Sequence, residues 1–183
     1  MKRKLLILSV LAICIATLTT GTLAFFTYED KAHNVITTGG VKIAVQEWAD
    51  KEKQTPFENL EGIMPSMSAT KIAEIKNTGA SAAWVRVKVE KNIRLQGNGT
   101  PDANLVELDL NTTDWTKQDG YYYYNKALKP GEVTDPIFTA VTFDASMGNE
   151  YQNATVSVDV SAQAVQTANN GAAATAAQGW PNS

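Results

Sequence analysis

Apolar residues recur at every second position in several stretches of this chain. Val41, Ile43 and Val45 alternate with Lys42, Ala44 and Gln46, which predicts a half-buried strand. Val85, Val87 and Val89 alternate with Arg86, Lys88 and Glu90, which predicts a strand with one wet, charged face. Ile137, Thr139, Val141 and Phe143 form a third series. Val156, Val158 and Val160 form a fourth, continued by Ala162 and Ala164. Ile72 and Ile75 mark a further strand that runs into a turn at Asn77-Thr78-Gly79. Gly97-Asn98-Gly99-Thr100-Pro101 reads as a loop. Asp119-Gly120 and Lys129-Pro130-Gly131-Glu132 read as turns, because proline presets φ and glycine accepts positive φ. No stretch between the N-terminal apolar run and Asn169 sustains a 3.6-residue period, and no internal repeat is visible. Short strands joined by polar turns predict an all-β chain: an antiparallel β-sandwich, jelly-roll-like. Residues 47–68 read as a polar insertion with room for a helical turn. Residues 167–183 form a short C-terminal Ala-rich tail, either a short helix after Gly171 or a loose segment, with Trp180 as its anchor on the domain.

The N-terminus follows a different pattern. Lys2, Arg3 and Lys4 precede an apolar run over residues 5–18, and Thr22 and Ala24 place small residues before a cut. These are the three parts of a secretory signal peptide. The run has 14 residues, against roughly 20 for a spanning helix. The expected organisation is therefore a signal peptide over 1–24, a sandwich domain over 25–166 and a tail over 167–183. The processed chain would start at Phe25 and be secreted, with no stable membrane anchor. Losing the three leader bases leaves 13 Lys+Arg against 19 Asp+Glu, a formal charge of −6. That balance argues against a nucleic-acid partner and against docking on an anionic membrane. The single cysteine, Cys14, lies inside the leader behind Ile13, which suits neither a disulfide nor a lipid attachment site.

Candidate chemistry is sparse. The one histidine, His33, stands in a polar stretch and reads as an exposed loop or strand-edge residue. A zinc site or a Ser-His-acid triad needs partners that no motif in the chain supplies. No P-loop and no dinucleotide-binding glycine motif occur, and no cofactor is expected. Glu29, Asp30 and Asp144 are weak calcium candidates, each more simply a solvated carboxylate. The run Tyr121-Tyr122-Tyr123-Tyr124, on a strand, puts two rings on each face. With Trp115 it forms a candidate surface aromatic patch for sugar rings, unless one pair packs in the core and the other pairs across the sheet. Asn98, Asn111 and Asn153 match the glycosylation pattern, which by itself carries little weight.

Other residues carry a family resemblance. The segment TTGTLAFFTYEDKAHNVITTGGVKI resembles the start of the TasA/camelysin family of exported Gram-positive proteins. The matching positions include Gly21, Thr22, Ala24, Phe25, Phe26, Thr27, Asn34, Ile36, Thr37, Val41 and Ile43. IMPSMSATKIAEIKNTGASAAWVRVKVE is similar to a later family segment, although Met64-Pro65-Ser66 departs from its usual Pro-Gly. YYYYNKALKPGEVTDPIFTAVTFD is similar to the clostridial members of biofilm surface fibres. The resemblance implies a jelly-roll subunit of an extracellular biofilm matrix fibre and no enzyme. It implies processing by a SipW-type signal peptidase, self-association into a head-to-tail filament and an accessory or anchoring subunit as a further partner. It also implies that Phe25, Phe26, Thr27 and Tyr28 act as a donor strand once freed. The same residues could instead form the first strand of their own domain. The alternatives are a carbohydrate- or surface-binding module, and a camelysin-like metalloprotease, which a chain with one histidine disfavours.

Overall fold

A computed structural model describes residues 35–37, 40–58, 65–95, 98–151 and 154–181. All of them belong to one compact unit, His33–Ser183. The strands are β1 (Val35–Thr37), β2 (Ile43–Trp48), β3 (Ser68–Asn77), β4 (Ala83–Arg94), β5 (Val106–Leu108), β6 (Trp115–Gln118), β7 (Tyr121–Tyr124), β8 (Phe138–Phe143) and β9 (Thr155–Gln166). They form a β-sandwich. One sheet has the order β1-β9-β4-β7-β6 and the other β2-β3-β8-β5. Every pairing is antiparallel except β1 with β9, which is parallel. Only β2–β3 and β6–β7 are consecutive neighbours within a sheet. Every other connection crosses between sheets, which gives the jelly-roll-like path.

The alternating residues build the core as their period requires. Val85 and Val87 from β4 lie opposite Ala164 and Ala162 of β9, and these four are buried together with Val156, Val158 and Val160 of β9. Ile43, Ala73, Ile75, Val106, Phe138, Val141 and Phe143 face them from the other sheet. The β3–β4 corner is held by Asn77, which is fully buried and fully used. Its amide nitrogen donates to the Ser81 and Leu128 carbonyls at 2.8 Å, and its oxygen accepts from the Gly79 N–H at 2.9 Å. A Cβ on Gly79 would come within 2.7 Å of the Lys42 nitrogen, so only glycine fits there. The β6–β7 hairpin turns on Asp119 and Gly120, both at positive φ, as a two-residue Asp-Gly turn requires.

Two expectations change. The inward face of β8 is not the simple 137, 139, 141, 143 series. Thr139 is exposed while Phe138 is buried. A register shift in β3 between Thr70 and Ala73, opposite β8, breaks the alternation there. Residues 47–68 are not wholly an insertion, because Glu47 and Trp48 complete β2. The described part that follows, 49–58, contains no helical turn of its own. It folds back on β2 through a Trp48–Pro56 bridge and a Phe57 N–H to Glu47 carbonyl bond of 3.0 Å. The tail forms a single 3-10 turn (Ala174–Ala176) that packs on the domain.

Candidate functional site

The sequence-predicted residues scatter. Thr22, Ala24, Phe25, Phe26, Thr27, Tyr28, Glu29, Asp30 and His33 lie outside the described residues. The aromatic patch is not a surface platform. Trp115 is 1 % exposed, and Tyr123 and Tyr124 are buried as well. The strand period splits the tyrosines, as the competing reading of that run supposed. Tyr122 and Tyr124 face the core, where Tyr124 packs on Trp115 with ring centroids 5.0 Å apart. Tyr121 and Tyr123 take the outer face, which the tail covers. Trp180 meets Tyr123 edge-on at 5.7 Å, and the Arg86 guanidinium lies 3.9 Å from the Tyr121 ring and 4.7 Å from Trp180. Arg86 also donates to Gln163 at 2.7 Å and to the Tyr123 hydroxyl at 3.0 Å. Trp84 donates to the Asn170 carbonyl at 2.8 Å. Asp144 accepts from the N–H and hydroxyl of Ser146, which holds its carboxyl below the usual range and makes it a turn cap. Among the described residues no cluster of three or more metal-ligating side chains occurs.

Sequence reading missed two polar arrangements. Lys71 is buried between the sheets, with Nζ 2.8 Å from Glu47 Oε1 and 4.1 Å from the centre of the Phe57 ring. Burial lowers its pKa, while Glu47 opposes that shift by charge and hydrogen bonding. Glu74, also buried, accepts from Trp48 Nε1 at 3.0 Å and pairs with Lys53. Near the β6–β7 hairpin, Lys126 bridges Asp114 and Asp135, each at 2.9 Å. Hydrogen bonds to Asp114 and then Asp135 raise the Lys126 pKa. The bonds that Asp135 accepts from Lys126 and Tyr124 lower its own. Partners brought together by folding leave no mark in the sequence pattern, although the charged Glu47 and Lys71 at inward strand positions were a visible anomaly.

The arrangement best suited to interaction is backbone. β4 and β9 pair along their whole lengths, from Ala83↔Gln166 to Arg94↔Thr155. On the far side of β4, β7 covers only Arg86 and Val87, and on the far side of β9, β1 covers only Ala162, Gln163 and Ala164. Residues 88–94 and 155–161 therefore have no strand on their outer sides among the described residues. The two edges of the second sheet are blunted as sheet edges usually are. β5 spans three residues, and the Asp109 carboxylate caps the adjoining N–H groups of Thr139 and Ala140 at 2.8 and 2.7 Å. The 55–57 loop covers β2. Beside the open edge of β4 lies a groove of about 490 Å3, between β4, β5 and the β6–β7 hairpin.

Comparisons with protein-family models, with curated proteins and with solved structures return no match. Among the described residues no helix is long and apolar enough to cross a membrane.

Proposed function

We propose that this protein is a secreted structural subunit of an extracellular matrix fibre, assembling head-to-tail by donation of its N-terminal segment after leader removal. The observation that supports this reading is that, among the described residues, no strand pairs with the outer sides of residues 88–94 and 155–161. Open strand edges template pairing with another chain, and proteins that must stay monomeric block them. β1 already brings the N-terminal region to this sheet as a parallel strand. A β1 strand prolonged backwards in the same register would bring Tyr28 level with Thr155. Phe25, Phe26 and Thr27 would then run past the beginning of β9. A head-to-tail contact that does not close on itself makes filaments.

The test compares the chain beginning at Phe25 with one lacking residues 25–28, both incubated and viewed by negative-stain electron microscopy. Filaments from the first and folded monomers from the second are expected. Folded monomers from both would overturn the fibre reading.

A further inference from the structure

We propose that Asn170-Gly171 is a self-modifying site: Asn170 loses its side-chain ammonia to become an acidic residue, and the change unlatches the C-terminal tail from the sheet in one direction only. This inference stands independently of the fibre reading.

The tail is latched through one side chain. Asn170 Nδ2 donates to the Gln166 carbonyl at 3.1 Å and to the Gln178 carbonyl at 3.0 Å, and its Oδ1 accepts from the Gln178 N–H at 2.7 Å. These bonds tie the end of β9 to the far end of the tail. An amide is needed there, because the latch uses a donor and an acceptor together. The Asn170 carbonyl adds a further tie, accepting from Trp84 Nε1 at 2.8 Å.

The residue that follows has to be small. Gly171 lies at positive φ, and a Cβ on it would come within 3.0 Å of the Ala176 carbonyl group and the Ala177 nitrogen. Packing of the 3-10 turn therefore imposes an Asn-Gly sequence on the latch. In that sequence no side chain shields the backbone nitrogen from the neighbouring amide carbon.

The chemistry balances with water alone. The Gly171 nitrogen gives its proton to solvent base and attacks Asn170 Cγ. The Cγ–Nδ2 bond breaks, ammonia leaves, and a five-membered imide ring remains. Water opens the ring at either carbonyl, which gives Asp or isoaspartate at position 170. The nucleophile is accessible: Gly171 is exposed, and its N–H donates to no group among the described residues. The departing nitrogen is not, because the docked tail holds it with two hydrogen bonds. Reaction therefore waits for moments when the tail lifts.

The product cannot rebuild the latch. A carboxylate only accepts, so oxygen would face the Gln166 and Gln178 carbonyls where nitrogen donated. Isoaspartate also lengthens the backbone where Gly171 already packs on Ala176 and Ala177. Release withdraws Trp180 from Tyr123 and Arg86 and bares the outer face of Trp84, Tyr121 and Tyr123.

The chain carries its own reference, Asn98-Gly99, in an exposed loop. The chain beginning at Phe25 is incubated at mildly alkaline pH, which favours loss of the Gly171 proton. Peptide mass spectrometry reads the exchange of NH2 for OH at positions 98 and 170, and limited proteolysis within the tail reads its docking. Asn170 should convert more slowly than Asn98, with tail cleavage rising in step with conversion at 170. Trp180→Ala loosens the tail and should speed conversion at 170 about five-fold, leaving position 98 unchanged. Asn170→Asp, made directly, should give a folded chain whose tail is cleaved without incubation. Asn170 still intact in both chains once Asn98 has converted would overturn the proposal. So would a rate at 170 that Trp180→Ala leaves unchanged, or an Asn170→Asp tail as resistant as that of the unsubstituted chain.

Discussion

The two halves of β4 differ more than two halves of one strand usually do. From Ala83 to Val87 it has β9 on one edge and, on the other, Leu128 at Ala83 and β7 at Arg86 and Val87. The core lies beneath this half, and over its outer face the tail packs on Trp84 and Arg86. From residue 88 to 94, among the described residues, it pairs with β9 alone, and none of its side chains is fully buried. The first half shows how this chain gains stability without a disulfide: it covers both faces and both edges of one strand. The second half shows where it forgoes stability, leaving hydrogen-bonding positions open. Regions of low local stability are where binding segments are usually drawn from.

Substitutions can break this comparison. Trp115→Ala, on β6 beyond the covered half of β4, removes a ring that is 1 % exposed, packs at a tilt on Tyr124 and donates to the Asp135 carbonyl at 3.0 Å. The expected loss is about 4 kcal/mol in denaturant melts. Ile93→Ala, at the open end, should cost about 1 kcal/mol or less, because that side chain is already part-exposed. Equal losses would mean that the two halves are stabilised alike.

The next effect concerns the Lys71–Glu47 pair, which stands where the neighbouring layers hold valine and isoleucine. Lys71→Met removes the cation 2.8 Å from the buried Glu47 carboxylate, at an expected cost of about 3 kcal/mol. Adding Glu47→Leu should recover most of it, since an apolar pair of similar volume replaces two desolvated charges. A double variant as unstable as the single one would show that the charges are needed for more than each other.

Asp109 gives a smaller, pH-dependent effect. Burial raises its pKa, but bonds from the Thr139 hydroxyl and the Ala140 and Thr139 N–H groups outweigh burial and hold it below 3.8. The folded carboxyl binds its proton less readily than the unfolded one, so the unfolded state holds more protons in that window. Its stabilisation is complete above the ordinary carboxylate range and is lost as pH falls below 3.8 through the folded value. Asp109→Ala should cost about 1 kcal/mol at pH 7 after allowance for its exposure, and progressively less in melts taken below pH 3.8. A pH-independent difference would sink this account. A comparable effect is expected for Trp180→Ala, about 1 kcal/mol from the ring's contacts with Arg86 and Tyr123. Trp84 fluorescence should then shift to the red as the tail loosens.

Much of the fold was legible in the sequence. The valine series at 85–89 and 156–160 specified two strands and their buried faces, because a side-chain period of two leaves one solution when one face must be dry. The Asp119-Gly120 turn was legible because few other residues accept its backbone. The inward face of β8 was not, because the irregularity that breaks its alternation arises in pairing with β3, a strand distant in sequence. The aromatic run showed that rings would fall on both faces, but not that a tail more than fifty residues later would cover the outer pair.

Local pattern thus determined which segments are strands and which side of each is dry, since backbone geometry and burial act over a few residues. Only the tertiary structure decided which strands became neighbours, and therefore where β4 and β9 outrun their partners. An open edge belongs to a missing neighbour, and no residue on the strand itself records it.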